Sequence, residues 1–114
     1  MIKEIHEQPK AVSDTLNSVV KDGAIDLSEV GLSEEEIKEI SQIYIVACGS
    51  AYHVGVAAQY VMEDLARIPV RVELASEFRY RNPILDPKGL VIIISQSGET
   101  ATVLQPSENL RNRV

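Results

Sequence analysis

Apolar residues near the amino terminus recur at helical intervals. Ile2, Ile5, Val12, Leu16 and Val19 are three, seven, four and three positions apart, so they fall on one face of an α-helix. The spacing predicts a helix with a single apolar stripe.

Pro9 leaves two versions of this helix open. Either the helix begins near Gln8 with Pro9 in its first turn, where the missing N–H costs little, or a longer helix is kinked at Pro9. The stretch that follows, residues 22–32, contains two glycines and no regular apolar spacing. We expect it to be a loop that ends the first helix and leads to a second.

The second helix carries a capping signal. Ser33 is followed three residues later by Glu36, the spacing at which each side chain can bond to the other residue's backbone N–H. Glu34 and Glu35 add negative charge at the positive end of the helix dipole. The pattern predicts a short helix opened by Ser33.

Three short segments predict strands. Residues 43–47, IYIVA, form a β-branched run without polar alternation, as expected of a parallel strand covered on both faces. Residues 70–74 and 90–95 predict the second and third strands, and the proline-containing stretch RNPILDPKG between them predicts a loop.

Between the first two strands the apolar period becomes helical. Five residues at intervals of four and three form one face: Val54, Ala58, Val61, Leu65 and Ile68. This spacing predicts a helix with these side chains on its apolar face. Pro69 ends the helix, because the residue before a proline avoids the helical region.

The order of helices and strands is that of an α/β three-layer domain with a parallel sheet and right-handed crossovers. A last helix is predicted to begin near Glu99, and Pro106 interrupts it about two turns later. Three strands are few for such a sheet. We therefore expect an uncovered sheet edge or face that favours association with a second copy.

Composition excludes several classes of protein. With 11 basic and 17 acidic residues the net charge is −6, which disfavours nucleic acid because its binding depends on neutralising phosphates. No stretch reaches the roughly 20 apolar residues that cross a membrane, and the amino terminus is too polar for a signal peptide. A cytoplasmic protein is expected. Cys48 is the only cysteine, so no internal disulfide can form. No Cys/His group has metal-ligand spacing, so a structural zinc site is not predicted, and no cofactor is predicted either.

Two loops of similar composition follow the first and third predicted strands. CGSA begins at Cys48 and SQSGET begins at Ser95, and both combine a glycine with small or hydroxyl-bearing residues. Ligands of open α/β sheets bind beyond the carboxyl ends of the strands, and amides at helix starts bind anions without basic side chains. The loops predict a phosphate site; the alternative is that the hydroxyls only cap helices.

Three other features near these loops have both functional and structural interpretations. Cys48 is a reactive thiolate or, more often at such a position, a small buried hydrophobe. His53 is an acid or base, or a histidine on an exposed helix surface. In ASEFRYR, Arg79 and Arg81 contact an anion or partner, or form the rim around a packed Phe78.

Four motifs in this order and spacing resemble one family. EIHEQP, IVACGSAYHVG, ELASEFRYR and SQSGET are similar to the first sugar-isomerase (SIS) domain of the glutamine–fructose-6-phosphate aminotransferases. The resemblance implies an α/β/α sandwich with a five-stranded parallel sheet, of which about three strands are present. It divides the chain into a helical segment, a partial SIS domain and an atypical tail: residues 1–42, 43–104 and 105–114.

The resemblance also implies a ligand and its contacts. Ser95, Gln96, Ser97 and Thr100 would hold the 6-phosphate of fructose 6-phosphate or glucosamine 6-phosphate, with Ser50 contacting it from the other loop. Ala51 replaces a second serine that many members have. This removes one hydroxyl and weakens the expected sugar contacts.

The family's reaction needs parts that do not map onto this sequence. Its members use ammonia from glutamine to make glucosamine 6-phosphate from fructose 6-phosphate, with a glutaminase domain and a second SIS domain. No catalytic residue is therefore assigned, and the chain is expected to bind a phosphosugar without turnover and to form a dimer through an exposed sheet or helices. The alternatives are a non-catalytic phosphosugar sensor and an assembly module.

Overall fold

The structure is a computed structural model that describes residues 1–81 and 83–97. It divides into two compact units, one comprising Met1–Lys38 and the other beginning at Glu39. In the described part of the chain, no helix is long and apolar enough to cross a membrane.

The first unit begins with helix α1, Ile2–Val19. The helix runs through Pro9, so of the two versions left open by the sequence, the longer helix is the one present. Pro9 has no N–H to donate to the preceding turn, and the helix continues on both sides of it. No residue of α1 is buried, although its apolar stripe lies where the spacing predicts it.

A small β-hairpin follows α1. Strands β1, Val20–Lys21, and β2, Ala24–Ile25, pair antiparallel. Asp22 and Gly23 between them have φ angles of 52° and 76°, the left-handed pair that two-residue hairpin turns require. The predicted loop over residues 22–32 is therefore wrong in part, since Asp22 and Gly23 form the turn of a hairpin whose second strand, Ala24–Ile25, lies within this range.

After the hairpin come a 3-10 turn, Ser28–Val30, and helix α2, Glu34–Glu39. The N–H of Glu36 donates to the Ser33 hydroxyl at 3.1 Å, and the N–H of Ser33 donates to the Glu36 carboxylate at 3.4 Å. These reciprocal bonds confirm the predicted capping of this helix.

The second unit is built on a parallel sheet. Its elements are β3 (Gln42–Ala47), α3 (Ser50–Ala66), β4 (Val70–Leu74), α4 (Ala75–Arg81) and β5 (Gly89–Ile94). Among the described residues, the sheet has the order β4-β3-β5, and both pairings are parallel. The predicted α/β class with a parallel sheet is confirmed.

Strand β3 is the centre of the core because neighbours cover both its faces. One face packs Val46 with Ala75 and Phe78, and the other packs Ile43 and Ile45 with residues of α3 and β5. Residues 43–47 are all buried. This double coverage is the reason why residues 43–47 of β3 form a continuous apolar run and do not alternate.

Helix α3 packs on the sheet through a face that matches the predicted one only in part: Ala58 and Ile68 pack against the core as expected. Gly55 is buried, and a side chain at its position would come within 3.0 Å of Ile45 and Val72. Val54, Val61 and Leu65, expected on the packed face, are 58%, 58% and 79% exposed. Because Gly55 has no side chain, the helix backbone can approach the sheet closely at this residue. In this orientation Val54, Val61 and Leu65 lie toward solvent.

Two polar side chains of α3 bind the first residue of β4. Gln59 Nε2 donates to the carbonyl oxygen of Val70 at 2.8 Å, and the N–H of Val70 donates to Glu63 Oε1 at 2.9 Å. Both backbone groups of Val70 are thereby satisfied by side chains. The helix is fixed to the start of this strand as well as to its face.

Helix α4 follows β4 without a loop and was not predicted as a helix. Phe78 is buried at 2% exposure, whereas Arg79 and Arg81 are exposed, so the structural interpretation of this segment is confirmed. Arg81 forms an ion pair with Glu73 at 2.5 Å. The pKa of Arg81 is raised, chiefly by this hydrogen bond to the carboxylate.

Candidate functional site

The candidate site lies where β3 and β5 end. These strands are direct neighbours, and the last residue of one, Ala47, pairs with the last residue of the other, Ile94. The loops that follow therefore leave the sheet side by side at its carboxyl edge. Between them is a cavity of about 290 Å³, lined by Cys48, Gly49, Ser50, Ala51, Ile94, Ser95, Gln96 and Ser97.

The first loop turns directly into helix α3. Gly49 has φ 58° and ψ −136°, a conformation that side-chain-bearing residues avoid and glycine adopts freely. Ser50 is the first residue of α3, and no side chain caps this helix start. The N–H of Tyr52 donates back to the carbonyl oxygen of Gly49 at 3.1 Å. The amides at the start of the helix form the positive end of its dipole, so this wall of the cavity favours anions.

The second loop supplies polar side chains from the opposite wall. Ser95 is half-buried, whereas Gln96 and Ser97 are exposed. The structure thus brings Ser50, Ser95, Gln96 and Ser97 to one cavity. Thr100, the fifth predicted site residue, lies outside the described residues, as does the helix predicted to begin near Glu99.

The described lining of the cavity has no charged side chain. Its polar groups are the hydroxyls of Ser50, Ser95 and Ser97 and the amide of Gln96, and Ala51 and Ile94 contribute apolar surface. Neutral donors of this kind can surround an anion without a basic residue. Neither Arg79 nor Arg81 lines the cavity.

Cys48 and His53 differ in their relation to the cavity. Cys48 is exposed and lines it, so the expectation of a buried small hydrophobe is wrong: the strand ends at Ala47, and Cys48 already belongs to the loop. His53 is exposed, as the surface interpretation predicted, and its ring contacts the ring of Tyr52 edge-on, with centroids 5.7 Å apart.

Sequence reasoning missed the apolar part of this cavity. Ile94 was assigned to the buried strand, yet it is half-buried and lines the cavity. Its position at the strand end, level with Ala47, is a signal that could have identified it. Among residues 1–81 and 83–97, no group of three or more His, Cys, Asp and Glu could hold a metal ion.

Comparisons with known proteins agree with this geometry. The sequence model of the SIS domain matches residues 36–114. The chain is 56% identical over 105 residues to the glutamine–fructose-6-phosphate aminotransferase (isomerizing) of Clostridium tetani, and equally identical over the same length to that of Mycolicibacterium paratuberculosis. These matches cover 91% and 92% of the chain but only 17% of each relative.

A solved structure has the same fold. The C-terminal domain of glucosamine-fructose-6-phosphate aminotransferase from Francisella tularensis superposes with a TM-score of 0.82 and 41% identity, covering 98% of this chain and 31% of that one. The cavity at the ends of β3 and β5 thus lies in a fold shared with these aminotransferases. The chain belongs to the SIS-domain family.

Proposed function

We propose that the cavity between the two loops binds the phosphate group of a phosphosugar, fructose 6-phosphate or glucosamine 6-phosphate. The observation that carries this proposal is the meeting of Ser50 at the start of α3 with Ser95, Gln96 and Ser97 at the end of β5. Helix amides and hydroxyls together supply donors for several phosphate oxygens. Thr100 is proposed as a further contact.

The size and lining of the cavity support a small ligand. At about 290 Å³ it is near the lower end of the range for ligand pockets, roughly 300–1,000 Å³. The hydroxyls and amides suit the phosphate, and the apolar surface of Ala51 and Ile94 suits the less polar face of a sugar. We propose that the chain is the phosphosugar-binding part of an isomerase unit and does not catalyse amino transfer alone.

Calorimetric titration tests the proposal. Fructose 6-phosphate added at millimolar concentration to the folded chain should release or absorb heat, and free fructose should not, because the phosphate is the group that the site recognises. Ser97→Ala and Ser50→Ala should each weaken binding about tenfold, the effect of losing one hydrogen bond of roughly 1.5 kcal/mol to a charged group. Ser76→Ala, at an exposed serine of α4 outside the cavity, is the matched control.

The same variants separate a ligand site from an assembly module. If the hydroxyls only cap helices, Ser97→Ala should lower the free energy of unfolding by about 1 kcal/mol. A ligand site predicts that Ser50→Ala, at a helix start that no side chain caps, weakens binding with unchanged stability. An absence of heat with both phosphosugars, in a sample whose circular dichroism confirms folding, would contradict the proposal.

A further inference from the structure

Helix α3 contacts the sheet at a residue that lies close to the candidate site. Gly55 is the only buried residue of this helix, which the structure describes throughout. A methyl group at its position would lie 3.0 Å from Ile45 Cγ2 and 3.0 Å from Val72 Cγ1. Ile45 and Val72 are opposite each other on the neighbouring strands β3 and β4. The helix backbone therefore packs directly against a pair of side chains from two strands.

The two side chains below Gly55 have little room to move. Ile45 is 1% exposed, Val72 is half-buried, and both belong to the core cluster on the α3 side of the sheet. Both are β-branched, which makes them stiff at χ1. A separation of 3.0 Å is shorter than the contact distance of carbon atoms, about 3.5–4.0 Å. A methyl group at position 55 would therefore push the helix away from the strands.

The attachments of α3 determine how it would move. Gln59 and Glu63 bind the two backbone groups of Val70 at 2.8 Å and 2.9 Å, which fixes the second half of the helix. At the other end no side chain caps the helix, and Ser50 is exposed. Pressure at Gly55 would therefore tilt the helix about its second half and raise its amino-terminal end from the sheet.

The displacement would be larger at the site than at Gly55. Gly55 is four residues and Ser50 nine residues before Gln59, so at about 1.5 Å per residue they lie about 6 Å and about 14 Å from this attachment. A displacement at Gly55 is therefore roughly doubled at Ser50. The loop after β5 would not follow, because β5 is hydrogen-bonded to β3. Ser50 would thus move away from Ser97 across the cavity.

We propose that Gly55 is a positioning residue of the phosphosugar site. Its missing side chain sets the height of α3 above the sheet, and thereby the distance of Ser50 and the amides of the first turn from the loop after β5. Gly55 does not line the cavity, so it acts only through the helix. The ligand in this inference rests on the proposed function, whereas the placement of the helix does not depend on any ligand.

Residual dipolar couplings of the backbone N–H groups test the placement of the helix without ligand. In Gly55→Ala they should show a changed angle between α3 and β3, with the angle between β3 and β5 unchanged. Phe78→Leu is the control, because it weakens the core on the other face of the sheet, where Phe78 packs with Val46 and Ala75. Sucrose in all samples keeps destabilised chains folded, since it is excluded from protein surfaces. An unchanged angle of α3 in Gly55→Ala would overturn the proposal.

Calorimetric titration with fructose 6-phosphate under the same conditions tests the effect on the site. Gly55→Ala should raise the dissociation constant at least about tenfold, the effect of losing one hydrogen bond to a charged group. Phe78→Leu should bind like the wild type. The double variant Gly55→Ala, Val72→Ala lacks one of the two methyl groups that the new side chain would meet, and it should recover most of the affinity.

The two measurements separate this inference from the proposed function. A tilted helix with unchanged affinity, an equal loss of affinity in Phe78→Leu, or no recovery in the double variant would each overturn the positioning role of Gly55. A wild-type chain that binds no phosphosugar, together with a tilted α3 in Gly55→Ala, would refute the proposed function and leave the placement of the helix by Gly55 supported.

Discussion

Glu63 accepts a hydrogen bond from the backbone N–H of Val70 at 2.9 Å, while Gln59, one helical turn earlier, donates to the carbonyl of the same residue. Val70 is the first residue of β4 and only 2% exposed. Water therefore cannot replace these two side chains, and the start of the strand depends on them.

Glu63→Ala should lower the free energy of unfolding by about 1–3 kcal/mol, because it leaves the buried N–H of Val70 without an acceptor. Glu63→Gln keeps an acceptor oxygen at the same distance along the side chain and should lose less. Urea denaturation of both variants measures the difference. Equal losses would mean that the charge, and not the hydrogen bond, is what matters at this position.

Gly55→Ala should destabilise the chain by about 1–3 kcal/mol, because the new methyl group would lie within 3.0 Å of Ile45 and Val72 in a packed core. Helix propensity acts in the opposite direction, favouring alanine by roughly 1 kcal/mol. Ala57→Gly, at an exposed position of the same helix, isolates that propensity and should be destabilising. A stabilised Gly55→Ala variant would show that α3 is not held close to the sheet there.

Arg81→Ala should lower the free energy of unfolding, because it removes the ion pair with Glu73; solvent screening limits the loss, since the Arg81 side chain is 45% exposed. Its partner Glu73 is only 15% exposed and would lose this ion pair. Glu73 Oε2 is buried and has no hydrogen-bond partner among the described residues, so the ion pair through Oε1 is the contact that this carboxylate depends on. Arg79→Ala, on the same helix, should change stability little. Chemical denaturation that ranks the two variants equally would refute a structural role for the pair.

Fructose 6-phosphate should protect Cys48 from alkylation, because this only cysteine of the chain is exposed and lines the proposed site. The rate of reaction with iodoacetamide should fall about tenfold when free ligand exceeds the dissociation constant tenfold. Free fructose should leave the rate unchanged. Binding detected by calorimetry without protection would place the ligand elsewhere.

The pKa of Asp26 should lie below its ordinary value of 3.8, mainly because its carboxylate accepts a hydrogen bond from the N–H of Ser28 at 2.9 Å, with Lys21 at 3.5 Å as a smaller cause. Since the folded pKa is the lower one, the carboxylate stabilises the fold above about pH 3.8, and this contribution is lost as the pH falls through the folded pKa. A carbon-detected NMR titration measures it. In the Lys21→Ala variant, the pKa of Asp26 should keep most of its decrease. If the decrease disappeared completely, Lys21 and not the N–H of Ser28 would be the main cause.

The strands of the parallel sheet could be predicted from the sequence, and most clearly β3, because burial on both faces gave residues 43–47 a continuous apolar run. The capping of α2 could be predicted because it depends on two residues at a fixed separation, Ser33 and Glu36. Helix α4 could not, because seven residues show too little periodicity and only its packing, through Phe78, makes it stable. The orientation of α3 also escaped prediction, since spacing identifies an apolar stripe but not whether a neighbouring stripe of small residues approaches the sheet more closely.

The meeting of the two loops was predictable for a physical reason. Parallel strands end at the same edge of a sheet, so loops of similar composition after β3 and β5 were expected to be neighbours. The exposure of Cys48 and the contribution of Ile94 depend on where each strand ends, and a shift of one residue decides which face a side chain occupies. Sequence patterns do not locate the end of a strand to within one residue.

The pairing of Ala47 with Ile94 has a consequence for how such a site can evolve. The spacing of the two loops is determined by main-chain hydrogen bonds between adjacent strands, which do not depend on the identity of the loop side chains. A substitution at a loop position such as Ala51, which lines the cavity, can therefore change the lining while the fold stays intact. At these two loops, the residues that contact a ligand can therefore change independently of the residues that maintain the fold.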